Sequence, residues 1–94
     1  MTDEKAKGAE GFEEKHLLSI MMFLSMNGEC RKIEIYENVS SNPRIPQKLD
    51  RLEAMGLLTQ KYDSNLRSTM IKLTPKGIEA AKIINELDRR LKSE

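Results

Sequence analysis

Apolar and polar positions along this chain change their period several times, and each change predicts an element boundary. Residues 1–11 are polar, contain two glycines and show no apolar period, which is typical of a mobile tail. From about Phe12 to Met26, apolar side chains cover most of the circumference of a predicted helix, and Asn27 and Gly28 form a stop signal after it. Such a helix must be covered on nearly all sides.

Two more helices follow, separated by the turn-forming residues 40–43. The first is predicted at about Arg31 to Val39. The second is predicted over about 43–55, because Ile45, Leu49 and Leu52 stand at i, i+4 and i+7 and Gly56 suits the position after a helix end. Its start stays open at this stage: Asn42 could cap it with Pro43 in the first position, or it could begin nearer Pro46.

The remaining pattern predicts a β-hairpin and a last helix. Leu57 to Tyr62 and Thr69 to Leu73 are rich in β-formers with approximate alternation, and residues 63–67 form the loop between them. Thr74 can cap the helix that follows, with Pro75 in its first position, and we expect it to run to about Leu91. Within it, four apolar residues are spaced 4, 3, 4, as in a heptad seam: Ala80, Ile84, Leu87 and Leu91.

This order of elements predicts a mainly α fold with a small β-hairpin, an α+β winged helix-turn-helix. The winged domain spans 12–76, after the tail 1–11, and residues 77–94 form a C-terminal helix. We expect that helix to be a dimer interface, together with the part of the first helix that its own domain leaves uncovered. Ile78 and Ala81 lie off the seam and are expected to pack on the domain. The expected homodimer contacts are Met21, Met22, Ala80, Ile84, Leu87 and Leu91.

Composition narrows the function classes. The 94 residues suit one domain, with 38% hydrophobic residues, no Trp and therefore an aliphatic core. His16 and Cys30 are the only residues of their types, so no zinc site or disulfide and no catalytic triad can be assembled. A redox role for Cys30, beside Arg31 and Lys32, stays possible at this stage. We expect a non-enzyme without cofactor or metal, with no membrane span or signal peptide, in the cytoplasm.

Charge is unevenly distributed although the net charge is only +1. Residues 31–76 carry 9 basic and 5 acidic side chains, a net of +4, whereas residues 1–30 carry 3 basic and 6 acidic ones, a net of −3. A basic middle segment is typical of a DNA-facing surface, although a solvated surface would show the same excess.

The outer face of the third helix carries hydrogen-bonding side chains. At 100° per residue, Arg44, Gln47, Asp50, Arg51 and Ala54 lie opposite the buried stripe, with Lys48 at the flank. Arg pairs with guanine and Gln with adenine in a major groove, so the face suits base reading. The alternative is a solvated outer face, which any surface helix would show. The order of elements favours base reading. Turn and wing residues would contact the DNA backbone, and Arg67 could also enter a minor groove. The candidate contacts to double-stranded DNA are Ser40, Ser41, Asn42, Arg44, Gln47, Lys48, Arg51, Lys61, Arg67 and Lys72.

Two segments resemble a known family. IPQKLDRLEAMGLL at 45–58 resembles the recognition helix of winged-helix regulators, and LTPKG at 73–77 resembles the motif after the wing in MarR-like, PadR-like and short archaeal winged-helix proteins. The resemblance covers about residues 15–91 and implies a transcriptional regulator, with pairing through a C-terminal helix. Three features depart from it. The turn from Val39 to Leu49 is one residue shorter than in the commonest bacterial pattern. Ile45-Pro46-Gln47 replaces the usual Val-Ser/Thr-Arg run. MarR-like proteins have additional N-terminal helical material for dimerisation, whereas one helix and a tail are predicted here.

Two other functions fit the same pattern. The small net charge and the apolar first helix would suit a protein-interaction module that does not bind nucleic acid. A sequence-indifferent chromatin protein would also bind duplex DNA, but a more basic chain is expected for that role.

Overall fold

Segments with a helical apolar period form helices, and the two alternating segments pair with each other. The computed structural model describes residues 8–93. A 3-10 helix, Ala9–Glu13, comes first. The elements after it are α1 (Leu17–Asn27), β1 (Cys30–Arg31), α2 (Lys32–Asn38), α3 (Ile45–Ala54), β2 (Leu58–Asp63), β3 (Ser68–Leu73) and α4 (Pro75–Lys92). This arrangement confirms the α+β winged helix-turn-helix class.

The core is aliphatic and draws on every helix and on both hairpin strands. In α3, the predicted stripe of Ile45, Leu49 and Leu52 is completely buried. α1 contacts α3, α4 and β3, while α2 contacts β3 and α3 contacts β2. The fully buried large side chains are Leu17, Ile20, Met21, Leu24, Ile35, Ile45, Leu49, Leu52, Leu58 and Ile71. Burial of the stripe therefore fixes which face of α3 is left to solvent.

The sheet has three antiparallel strands in the order β1-β3-β2. In the hairpin, Leu58 pairs with Leu73 and Asp63 pairs with Ser68, so the loop consists of residues 64–67. β1 was not predicted: Cys30 pairs with Ile71 at the other edge of β3. A two-residue strand has no period of its own and exists only through this pairing.

The α3–β2 junction explains why a glycine follows α3. Gly56 has φ +81, in the left-handed region that a side chain disfavours. Its N–H donates to the Glu53 carbonyl at 2.9 Å, and the Leu57 N–H donates to the Leu52 carbonyl at 3.0 Å. These two bonds form a Schellman motif, which ends the helix and turns the chain into β2.

The LTPKG segment ties the start of α4 to that junction. The Thr74 hydroxyl accepts from the Gly77 N–H at 3.0 Å, as predicted for a cap, and donates to the Gly56 carbonyl at 2.6 Å. Lys76 Nζ donates to the Met55 carbonyl at 3.2 Å. Gly77 is buried, and a Cβ there would lie 1.9 Å from the Leu57 carbonyl oxygen. Each polar residue of the motif therefore fastens α4 to the end of α3.

The N-terminal part differs from the prediction. Residues 1–7 of the predicted tail lie outside the described residues. The remainder of it enters the 3-10 helix, in which Gly11 is buried. α1 begins at Leu17 and not at Phe12, because His16 before it has φ 73, which is not helical. The helix is thus interrupted before Leu17, and Phe12 packs against the core from outside α1.

The start of α3, open from the sequence, lies at Ile45. Pro46 occupies the second helical position, where its missing N–H breaks no helical bond. Pro43 belongs to the preceding turn, and Arg44 is the N-cap residue. Within residues 8–93, no helix has both the length and the apolarity needed to cross a bilayer.

Candidate nucleic-acid interface

The solvent side of α3 is divided into a basic flank, a neutral centre and an acidic flank. From the 100° helical period, Gln47 and Ala54 lie opposite the buried stripe, and both are exposed. One flank, which we call the basic flank, carries Arg44, Lys48 and Arg51. The other carries Asp50 and Glu53. The sequence analysis placed Arg44, Asp50 and Arg51 together on one outer face, with Lys48 at its flank, and did not separate a basic flank from an acidic one.

The basic flank is held by an acid from the N-terminal part of the chain. Glu14 lies between the 3-10 helix and α1. Its Oε1 accepts from Lys48 Nζ at 3.2 Å, and its Oε2 accepts from Arg51 Nε at 3.2 Å. The Lys48 side chain is only 11% exposed, whereas that of Arg51 is 42% exposed. Lys48 is thus largely withdrawn from solvent, in contrast to its expected place among the exposed contacts.

The acidic flank is tied to the hairpin. Gln60 Nε2, on β2, donates to Asp50 Oδ1 and to Glu53 Oε1, each at 2.9 Å. The amide group supplies two N–H donors, one for each carboxylate. These bonds join the acidic flank of α3 to β2. No sequence signal indicated them, because Gln60 belongs to a strand and the carboxylates to a helix.

The turn before α3 uses its polar side chains locally. Ser40 Oγ accepts from the Asn42 N–H at 3.1 Å, and Asn42 Oδ1 accepts from the Arg44 N–H at 2.8 Å. Asn42 therefore supports the turn and is not the N-cap residue. Ser41 and Arg44 are exposed. Because of these bonds, the exposed Arg44 stands at a fixed place at the N-terminal end of α3.

The three predicted cations of the hairpin lie at different distances from its loop. Arg67 is exposed in the loop and has φ 51, and Asp63 Oδ1 holds the loop by accepting from the Leu66 N–H at 3.0 Å. Lys61 pairs with Met70, close to the loop. Lys72 pairs with Thr59 near the base, about 13 Å along the strand from Ser68. Arg67 and Lys61 thus share one end of the hairpin, and Lys72 does not.

The predicted dimer contacts also fall into two groups. Met21 is completely buried in the chain's own core, so it contributes nothing to the surface, and Met22 is half-buried. Ala80 and Ile84 pack against the core, whereas Leu87 and Leu91 are 54% and 75% exposed. Off the seam, Ile78 is 47% exposed and Ala81 is buried. Only the second half of the predicted seam, Leu87 and Leu91, is therefore exposed to solvent.

An apolar groove runs beside that open half. It has a volume of about 350 Å3 and lies between the 3-10 helix, α1 and α4, with the lining residues Ala9, Phe12, Leu18, Ala80, Ile83, Ile84 and Leu87. Ile83, at 71% exposure, was missed by the sequence reasoning. Its spacing of three from Ala80 and four from Leu87 could have revealed it.

Cys30 is buried at the sheet edge, and its environment opposes reactivity. Burial, and then the charges of Glu34 and Glu29, raise the pKa of its thiol to about 11. The expected effect of Arg31 and Lys32 was the reverse, since nearby cations lower a thiol pKa. Within the described part of the chain, no group of three or more His, Cys, Asp or Glu side chains could hold a metal ion.

Comparison with known proteins identifies relatives in structure only. No protein-family model matches the chain, and no curated protein matches it significantly. A transcriptional regulator homologue from Pyrococcus horikoshii OT3 is similar in structure, with TM-score 0.69 and 19% identity over 87% of this chain and 90% of that one. A probable transcriptional regulator from Pseudomonas aeruginosa has TM-score 0.67 and 21% identity, over 92% of this chain and 69% of that one.

A third similar structure is reduced AbfR bound to DNA. Its TM-score is 0.67 and its identity 22%, over 98% of this chain and 66% of that one. Identities this low establish a common fold and carry no assignment of individual residues. The chain therefore has the fold of winged-helix transcriptional regulators.

Proposed function

We propose that this protein is a transcriptional regulator that binds duplex DNA in a sequence-specific manner, with α3 in the major groove and the 64–67 loop on the backbone or in the minor groove. The observation that supports it most is the solvent side of α3. A rigidly packed helix presents Arg44, Gln47 and Arg51 together at its surface. The major groove is about 12 Å wide and admits one helix, and Arg and Gln side chains fit the acceptor patterns of guanine and adenine.

Contacts around α3 favour the same orientation. Ser41 and Arg44 are exposed at its N-terminal end, where a phosphate oxygen would meet their side chains and the positive end of the helix dipole. Arg67 and Lys61 extend from the far end of the hairpin. One of the similar proteins, AbfR, has been captured on DNA. We place the activity in the cytoplasm.

We further propose that the protein acts as a homodimer, in which a second copy covers the apolar groove. Leu87 lines the groove and Leu91 lies one turn further along α4, and both side chains are exposed apolar surface of the kind that a second copy would bury. The three cations near the end of α4, Arg89, Arg90 and Lys92, are paired with acids of the same helix, so the contact would depend on apolar surface. A two-fold pairing would set two α3 helices in successive major grooves, about 34 Å apart.

The test of DNA binding is fluorescence anisotropy with labelled duplexes, titrated at two salt concentrations against a random competitor. Arg44→Ala and Arg51→Ala should each weaken binding about 5- to 150-fold, corresponding to about 1–3 kcal/mol for a base contact. Lys82→Ala removes the same charge from α4, away from α3, and is the matched control. Equal binding by the parent and both arginine variants would reject this reading face.

The same titration separates the other candidate functions. Binding that the random competitor abolishes would indicate a sequence-indifferent chromatin protein. Absence of binding at low salt would favour a protein-interaction module, for which the acidic flank and the apolar groove would be the obvious surfaces.

Light scattering at tens of micromolar tests the dimer. Leu87→Glu should give a monomer, because it places a charge in the groove. Ile78→Glu is the matched control: Ile78 is similarly exposed on the same helix, but half a turn round from Leu87. A monomeric parent, or an equal effect of both variants, would reject the pairing.

A further inference from the structure

The link between Glu14 and the basic flank has a consequence for how α3 would discriminate between DNA sequences. Glu14 is 34 residues from Lys48 and 37 from Arg51, and each carboxylate oxygen accepts from one of them. Neither bond belongs to a helix cap, a turn or a strand ladder. They are side-chain bonds that join the N-terminal segment directly to the proposed reading surface.

The geometry at Arg51 leaves its recognition atoms available. Arg carries five N–H donors in a planar fork, and Glu14 engages the one on Nε. Within residues 8–93, the two terminal amino groups of Arg51 make no hydrogen bond. The guanidinium is thus anchored at its base while the end that pairs with guanine O6 and N7 remains unbound.

Anchoring changes which partner a long side chain selects. An unrestrained Arg can rotate toward any phosphate, and such contacts carry no sequence information. An Arg whose Nε is already bound has lost most of that freedom, so little more is lost when it meets a planar pair of acceptors. The Glu14 carboxylate also neutralises Lys48 and opposes the approach of a phosphate to this part of α3.

We propose that Glu14 is a positioning residue that makes Arg51 a reader of guanine and prevents it from acting as a general phosphate contact. This inference rests on the proposed function and adds to it the origin of sequence discrimination. The acid lies in the segment between the 3-10 helix and α1, where no recognition residue was expected. Specificity would then depend on the packing of the N-terminal segment as well as on α3 itself.

The experiment is selection from a random duplex library, followed by sequencing, for the parent, Glu14→Gln and Arg51→Ala. The parent should prefer guanine at one position of each half-site by about 10-fold. Both variants should lose that preference and retain the others. Glu14→Gln should also bind random duplex with a salt dependence about one unit steeper, since a released cation gains a phosphate. The double variant should select the same sequences as Arg51→Ala alone.

Glu37→Gln is the matched control. It removes the same charge from α2, where the side chain is exposed and makes no ion pair within the described residues. It should behave as the parent does. Unchanged selection by Glu14→Gln, or equal changes in the two variants, would overturn the inference while leaving the proposed function intact. A parent that binds no duplex would reject both.

Discussion

The close approach of Gly77 to the α3–β2 junction allows one substitution to be worked through in detail. In Gly77→Ala, the added Cβ would lie 1.9 Å from the Leu57 carbonyl oxygen and 2.9 Å from its carbon. Backbone atoms cannot rotate away, and this oxygen accepts the Thr74 N–H at 3.0 Å. Overpacking costs about 1–3 kcal/mol and the weakened hydrogen bond about 1 kcal/mol. The higher helix propensity of Ala than of Gly stabilises the folded state by about 1 kcal/mol.

The net loss in the free energy of unfolding is therefore about 2 kcal/mol, which corresponds to a fall in Tm of about 8–16 °C for a domain of this size. Thermal unfolding followed by circular dichroism measures it, with all variants at one protein concentration because a dimer's Tm depends on concentration. Gly8→Ala is the control, since a Cβ there meets nothing within 4 Å and should change the stability by less than about 0.5 kcal/mol. If both variants unfold at the same temperature, the clash at Leu57 is not real.

Three further outcomes follow from the structure. Thr74→Ala should lower the free energy of unfolding, measured in urea, by about 1 kcal/mol because the cap of α4 is lost. Thr74→Ser should keep the cap and the stability. Equal stability of the two variants would contradict the capping role. Gln60→Glu should be less stable at pH 7 than at pH 4, since it sets a third carboxylate beside Asp50 and Glu53, and Gln60→Ala should lack this pH dependence. Because the pKa of the Cys30 thiol is raised, the folded chain keeps the thiol proton between pH 9 and about pH 11, whereas the unfolded chain has released it. Its contribution to stability is therefore present below pH 9 and is lost between pH 9 and about pH 11, a loss that Cys30→Ala should not show.

Local patterns were sufficient for most of the architecture. The i, i+4, i+7 stripe of α3, the glycine after it and the capped start of α4 are each specified by neighbours within a few residues. Side-chain period and cap chemistry act over that same range, so a single sequence contains the information. This is why the α+β class, the order of the α-helices and hairpin strands and the outer face of α3 could all be predicted.

Only the tertiary structure decided which of those surface residues are free. Lys48 and Arg51 are both plausible contacts by sequence, yet the Lys48 side chain is nearly buried against Glu14 and that of Arg51 is 42% exposed. Likewise, Met21 and Leu87 are both apolar positions on helices, but the first fills the core and the second remains exposed. Their environments depend on contacts between segments far apart in the chain, which no helical or strand period encodes. The sequence by itself thus determined the elements and the faces they present, and long-range packing decided which side chains on those faces remain available to a partner.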